Sequence, residues 1–481
     1  MTAQHHPGVP VERDGSRAWL GIRYARAHRF GPPELVPFDP DGDFRTYGAA
    51  PFQEPPAMPP LGAEPAEDCH FLNVWAPTRP ESDALPVYVS VYGGGFEHGS
   101  GSGWPQDGGL VAGTGRAIVV SPNYRVGALG FLSLSHLGAP FEGASNLGLR
   151  DLVAALTWVR HHIAAFGGDP DRVTVVGESA GGFLAAALPA VRAADGLYHR
   201  LSVHSAGASR ILPAERAHAM TDTFLQVTRT QENPATLLDL SADQLVQAQH
   251  HVVATDIGLR NGPSPQAFGI VDDSAEPDGL LTGHPATAYA SGDHRHVDLL
   301  VSATEHEIAL FREATLDDFD PDRDEDIVAE VAGWHVPERR AREIVATYRA
   351  AIGTAAPGLL RERLLTDYIY RLPAARLTQS HAAAGGRAHL LLIGGVDGSP
   401  AGHACDAAGL VGRHLPDSTP AAQDRDDAIA GLVLDFVTGV ELPWPATGAD
   451  ALTAGSVGQP EMDAAAVFAR TLRIWDGVAR P

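Results

Sequence analysis

Arg172-Val-Thr-Val-Val-Gly177-Glu178-Ser179-Ala180-Gly181-Gly182 decides how this chain is read. A β-branched run, Arg172 to Val176, stops at a glycine. G-x-S-x-G follows, and then Phe183 to Ala187, which can form a helix. A serine on a tight strand-to-helix turn exposes its hydroxyl above a sheet edge, and flanking glycines allow the strained backbone to pack closely. The pentapeptide alone is weak, and an N-capping serine is its bland reading. The strand before it and the helix after it favour a nucleophile at Ser179.

Outward from this point, short apolar runs alternate with helical stretches. Pro86 to Tyr92, Ala117 to Val120, Val297 to Ala303 and His389 to Ile393 read as strands. Between Asn146 and Phe166, Leu149, Leu152, Leu156, Val159 and Ile163 recur at spacings of three and four, which predicts an amphipathic helix. Helices are also expected over Ala214 to Arg229, Leu237 to His251, Pro337 to Ile352 and Gly358 to Gln379, the last kinked near Pro373. Two more are expected near Asp427 to Val437 and Met462 to Asp476, whereas Asn261 to Asp278 reads as loop. Alternating strands and helices predict an α/β fold with a mostly parallel sheet, buried on both faces. The layout expected is one domain over residues 1–481, with helical, pocket-forming insertions at roughly 211–290 and 310–380.

Composition narrows the partners. The chain has 481 residues, 35 basic against 59 acidic, and a net charge of −24. It contains no lysine. So negative a balance argues against nucleic acid and anionic membranes, which are bound by neutralising phosphates with many cations. It also argues for a neutral substrate. No apolar run reaches the roughly 18 residues of a membrane span. Met1 to Arg17 lacks the apolar core of a secretory signal, so a cytoplasmic protein is expected. Cys69 and Cys405 cannot build a disulfide framework or, alone, a zinc site. No metal or cofactor is expected.

Tyr92-Gly93-Gly94-Gly95-Phe96 closes the first strong strand. Acyl transfer passes through an oxyanion that needs preorganised donors, and glycines let backbone amides approach it. The donors expected are the N–H groups of Gly94, Gly95 and Ala180, with Gly93 supporting. A flexible turn is the bland reading, and no P-loop or GxGxxG spacing is present. His98 and Phe96 fit equally well as loop packing or as lining of the site. A serine needs a base, and the base needs an orienting acid. His403 sits in a small-residue loop after the His389 to Ile393 strand, where a sheet delivers side chains to its C-terminal edge. After Val297 to Ala303 come Glu305 and Glu307, and the residues themselves do not choose between them.

The sequence resembles the type-B carboxylesterase/cholinesterase family of α/β-hydrolases. The resemblance rests on Gly21-Ile-Arg-Tyr-Ala25 with Arg29-Phe30, Glu67-Asp-Cys-His-Phe-Leu-Asn-Val-Trp75, and Tyr92 to Phe96. It continues through Asn123-Tyr-Arg-Val-Gly127 with Gly130-Phe131, Asn146-Leu-Gly-Leu-Arg-Asp151, and Phe166-Gly-Gly-Asp-Pro170 leading into Gly177-Glu-Ser-Ala-Gly181. It implies an α/β-hydrolase fold and a serine carboxylesterase acting through an acyl-Ser179 intermediate on small ester substrates. The triad implied is Ser179, Glu307 and His403: Glu307 stands four residues before Phe311, and Ala401-Gly402-His403-Ala404 fits the family's histidine pattern. Glu178 matches a family position close to the catalytic histidine, which implies an electrostatic role. Amide or carbamate hydrolysis and acyl transfer would use the same acyl-enzyme. A non-catalytic scaffold is disfavoured because serine, acid, histidine and glycine loop are all present.

Three departures stand out. Cys69 has no upstream cysteine to pair with, so the disulfide common in the family is missing, which fits a reducing compartment. Pro59 stands where cholinesterases carry the tryptophan that holds a quaternary ammonium, so choline esters are not expected. Asp406 replaces a usual glutamate after His403, and Phe436-Val-Thr-Gly439 to Trp444-Pro445 looks short; both are expected to bear on the exit side of the pocket. Cys405, two residues from His403, is either a reactive thiol or packing.

Overall fold

Strands without a polar face need cover on both sides. The structure, a computed structural model, describes residues 7–54, 60–262, 264–315 and 319–479. Its frame is a ten-stranded sheet. In chain order the strands are β1 (Val11–Arg13), β2 (Ser16–Arg23), β3 (Phe71–Pro77), β4 (Leu85–Val91) and β5 (Ile118–Pro122). They continue with β6 (Gly168–Glu178), β7 (Arg200–His204), β8 (Asp298–Thr304), β9 (Ala388–Ile393) and β10 (Gly455–Val457). Across the sheet the order is β1-β2-β3-β5-β4-β6-β7-β8-β9-β10. Every neighbouring pair from β5 to β10 is parallel. β1, β2 and β3 add an antiparallel edge.

The pleat sorts β4 between two cores. Val87, Val89 and Val91 join one apolar cluster and Tyr88 the other, as alternation requires. α1 (Leu147–His162) buries Leu149, Leu152, Leu156 and Val159, the stripe its spacing predicts. α2 (Ala180–Ala187) follows the serine turn with all of its residues buried. α3 (Ala214–Thr228), α4 (Glu338–Ile352), α5 (Pro357–Thr366), α6 (Leu372–Ala383), α7 (Pro420–Thr438) and α8 (Ala464–Ile474) complete the longer helices used below. Among the described residues no helix is long and apolar enough to cross a membrane.

Three expectations change. Asn261 to Asp278 is not all loop: Ile270–Asp272 pairs in parallel with Ile211–Pro213. The irregularity near Pro373 lies ahead of it, as a π-helical turn over Asp367–Arg371. Proline has no N–H for the carbonyl four residues back, and a wider turn absorbs the gap. α7 starts seven residues early, at Pro420, because Thr419 caps it by accepting from the Ala422 N–H at 3.2 Å. Phe436 and Val437, in the segment that looks shortened, pack with Trp444 in the cluster that holds Tyr88. They are core of one sheet face.

A buried charge cluster fastens α1 to the loop after β5. Asp151 accepts from Arg125 Nη2 at 2.7 Å, Arg125 Nε at 2.8 Å and the Arg125 backbone N–H at 3.0 Å, and sits 3.0 Å from His70 Nε2. Burial alone would raise this carboxyl, but Arg125 and His70 hold it well below the usual range. Asp151→Asn would leave Arg125 buried without its counter-charge. The expected cost is about 3–5 kcal/mol, read from urea denaturation; a loss under about 1 kcal/mol would show the pair to be energetically idle.

Candidate active site

Ser179 sits between the end of β6 and the start of α2 with φ 53° and ψ −121°. Its N–H donates to the His204 carbonyl at 2.9 Å, which fixes the turn. A side chain at Gly181 would place its Cβ 2.2 Å from the Val91 carbonyl oxygen, so glycine is what lets α2 meet β4. The same turn presents Ser179 Oγ to His403 Nε2 at 2.9 Å. His403 Nδ1 lies 2.6 Å from Glu307 Oε2. Serine, imidazole and carboxylate therefore form one continuous chain, with the Nδ1–H pointing at the acid and Nε2 left to accept from the serine.

The loops that carry His403 and Glu307 are tied together. The His306 N–H donates to the Ala401 carbonyl at 2.9 Å, and His306 pairs with Gly402 as a parallel bridge. Glu307 is fully buried, and its second oxygen, Oε1, accepts from the Thr304 N–H at 2.7 Å and from Ser205 Oγ at 2.8 Å. Glu305 points elsewhere: its Oε1 accepts from the Glu461 N–H at 2.7 Å. The rings of Tyr370 and Phe311 lie 4.8 Å and 5.2 Å from the imidazole, centre to centre. Ser205, the Thr304 amide and Tyr370 are absent from the sequence reading. Ser205 carries no local signal, because it follows β7, a strand whose own residues do not announce it.

The glycine loop faces the serine. A Cβ on Gly93 would come within 2.4 Å of Glu178 Oε2 and 3.0 Å of Ser179 Cβ, so only glycine fits there. Gly94 and Gly95 take φ values of 115° and 67°. Among the described residues the N–H groups of Gly94, Gly95 and Ala180 have no hydrogen-bond acceptor. Phe96 is wholly buried against Phe131 and Phe183, so it packs the loop from below.

Three carboxyls surround the one imidazole. Glu178 Oε1 lies 3.5 Å from His403 Nε2. Burial pushes Glu178 up to about 8, with His403 pulling the other way and Asp406 and Glu307 reinforcing it. Asp406 is also fully buried, 3.8 Å from His204 Nδ1, and burial followed by the charge of Glu307 takes it up to about 6. Burial opposes charge on His403 more than any other single influence. The hydrogen bond and charge of Glu307, then Glu178 and Asp406, outweigh it and raise the imidazole above its ordinary value. Burial, then Asp406, pushes the Cys405 thiol well above its usual range, so it is a neutral packing group. Pro59 lies outside the described residues.

Comparison with known proteins agrees with this architecture. The profile described as "Carboxylesterase family" matches residues 8–393. The chain is 37% identical over 334 residues to the para-nitrobenzyl esterase of Bacillus subtilis, an alignment covering 67% of this chain and 64% of that protein, so just under two thirds of the relative's length is spanned. It is 34% identical over 269 residues to cholinesterase 1 of Branchiostoma lanceolatum, covering 54% of this chain and 72% of that one. The solved carboxylesterase of Geobacillus stearothermophilus superposes with a TM-score of 0.81 at 28% identity, over 97% of this chain and 98% of that one. A solved PNB esterase superposes with a TM-score of 0.75 at 30% identity, over 91% of each. With a mostly parallel α/β-hydrolase sheet and a serine turn at its edge, the chain belongs to the carboxylesterase family.

Proposed function

We propose that the chain is a serine carboxylesterase in which Ser179 is the nucleophile, His403 the general base and then acid, and Glu307 the group that orients the imidazole. The observation that carries this reading is the unbroken path from Ser179 Oγ to His403 Nε2 and from His403 Nδ1 to Glu307. His403 takes the serine proton as Oγ attacks the ester carbonyl. The tetrahedral oxyanion is received by the amides of Gly94, Gly95 and Ala180, whose donors are not spent elsewhere among the described residues. His403 then protonates the departing alcohol, leaving an acyl-Ser179 ester. Water repeats the sequence: it loses its proton to His403, attacks the acyl carbon, and releases the acid as Ser179 recovers its proton. Glu307 holds the ring through Nδ1 and stabilises the imidazolium.

In this reading residues 1–481 form one α/β-hydrolase unit, and roughly 211–290 and 310–380 supply the pocket walls. A reducing, cytoplasmic location is part of the proposal, supported by the two free cysteines.

The test is a pH profile of p-nitrophenyl butyrate hydrolysis. Catalysis needs neutral His403, and its carboxylate neighbours raise its pKa. The value of kcat/KM should therefore fall on acidification with a midpoint above the ordinary histidine value of about 6.5. No hydrolysis would overturn the function, and a midpoint below about 6 would overturn the electrostatics.

A further inference from the structure

The glycine loop that faces Ser179 belongs to no strand or helix, and its backbone takes a costly shape. Gly94, Gly95 and Phe96 have φ values of 115°, 67° and 70° in succession. For Phe96 this left-handed conformation is strained, and such strain persists only where surrounding contacts over-determine it. Some of those contacts lie close by. The N–H groups of Glu97 and His98 both donate to the Gly94 carbonyl at 3.0 Å, and the Gly127 N–H donates to the Phe96 carbonyl at 2.7 Å.

Another contact arrives from a distant part of the chain. Glu97 is 5% exposed, and Arg260 Nη1 donates to its Oε1 at 2.8 Å. The ion pair lies directly on Gly95. A Cβ there would stand 3.6 Å from Arg260 Nη1 and 3.7 Å from Glu97 Oε1, which is ordinary contact distance. A hydrogen bond charged at both ends is roughly twice as strong as a neutral one. A carboxylate this buried also needs its counter-charge.

Arg260 is itself anchored. Its Nε donates to the Ala254 carbonyl. It stands in the short helix Ile257–Asn261, which Asp256 caps by accepting from the Leu259 N–H at 2.9 Å. Arg361, on α5, grips the same Asp256 through both terminal nitrogens, at 2.7 Å and 2.9 Å. A line of charged contacts therefore runs from α5 through Asp256 and the short helix to Arg260 and Glu97. It ends on the turn that carries the Gly94 and Gly95 amides.

We propose that Arg260 is a positioning residue for hydrolysis: paired with Glu97, it fixes the angle at which the Gly94 and Gly95 N–H groups meet the oxyanion. The inference rests on the ester-hydrolase reading and adds to it a pair of side chains outside the triad. Donors aimed at the tetrahedral oxygen act as charge develops there, so their aim matters more in the transition state than in the bound ester. Loss of aim should lower kcat and kcat/KM together and leave KM nearly unchanged.

The experiment measures kcat and KM for p-nitrophenyl butyrate per active site titrated with an organophosphate, so unfolded protein is not counted. It also measures Ki for an alkyl trifluoromethyl ketone. Ser179 Oγ bonds to the ketone carbon, His403 takes the serine proton, and the carbonyl oxygen becomes an oxyanion held by the same amides. Arg260→Gln and Glu97→Gln should each lower kcat about 10- to 100-fold, less than outright deletion of a donor, with Ki raised by the same factor. Arg260→Lys should recover part of the loss, since the charge is kept and only the planar fork is gone. The double variant Glu97→Gln/Arg260→Gln strands no charge, and should lose about as much as either single variant because the two side chains act as one device. A double variant with kcat within about threefold of wild type would overturn the proposal, as would a loss confined to KM. A fall in kcat with Ki for the ketone unchanged would overturn it too, because the damage would then lie away from the oxyanion. Failure of wild-type protein to hydrolyse the ester would overturn the ester-hydrolase reading and the proposal with it.

Discussion

Ser179→Ala should lower kcat for p-nitrophenyl butyrate by about 10⁴- to 10⁶-fold, as removal of a nucleophile that works as one unit with its base does elsewhere. Without Oγ no acyl-enzyme can form, and only the oxyanion donors and binding remain to assist attack by water. The fold should survive. Alanine removes one oxygen, and the turn is fixed by the Ser179 backbone N–H to His204, not by the side chain. An organophosphate should add its mass to the peptide holding Ser179 in wild type and to no peptide of the variant. Turnover within about tenfold of wild type, or a label on another serine, would remove Ser179 from the mechanism.

The parallel half of the sheet was legible because its chemistry is local. β4, β5 and β9 are apolar at nearly every position, and each is buried throughout. β7 was not legible. It reads Arg-Leu-Ser-Val-His, and nothing in those five residues announces a central strand. Its buried polar residues are satisfied as a column: Ser202 Oγ lies 2.8 Å from His204 Nε2 in the same strand, and His204 Nδ1 lies 2.8 Å from Ser302 Oγ on the neighbouring strand. A buried polar column of this kind depends on partners about a hundred residues away, which no local window contains. The antiparallel edge was hidden differently. β2 changes register between Trp19 and Ile22, which breaks its alternation.

The candidate site divides along the same line. Ser179 and the glycine loop were legible because a tight turn and bare backbone donors require particular residues at fixed spacing. His403 could be placed by its position after a strand. The acid could not be chosen from local sequence, since Glu305 and Glu307 share a loop and a charge. Only the resemblance to a family separated them. The groups that hold the acid were invisible for a physical reason: the Thr304 amide is backbone, and Ser205 reaches Glu307 across 102 residues. Asp406 differs from the glutamate usual in the family after His403, a departure expected to bear on the exit side of the pocket. In the structure it is fully buried, and burial with the charge of Glu307 gives it an electrostatic setting.

Glu307→Gln should cost about 10⁴-fold in kcat, while Glu305→Gln should cost no more than a few-fold. The argument is one of hydrogen-bond direction. Oε1 of Glu307 receives two donors, the Thr304 N–H and the Ser205 hydroxyl. In the glutamine variant the carbonyl oxygen must occupy that position, because an amide NH₂ there would face the Thr304 N–H donor. The NH₂ group then faces His403 Nδ1, which can only respond by accepting. That choice moves the ring proton to Nε2, the nitrogen opposite Ser179 Oγ, and the imidazole can no longer take the serine proton. Shape and packing are kept, so the loss reports the tautomer and not the fold. Glu305→Gln retains an oxygen to accept from the Glu461 N–H, the hydrogen bond its carboxylate makes, while Glu307 keeps its bond to His403. Equal losses for the two variants, or the reverse order, would show that the acid of this site is not Glu307.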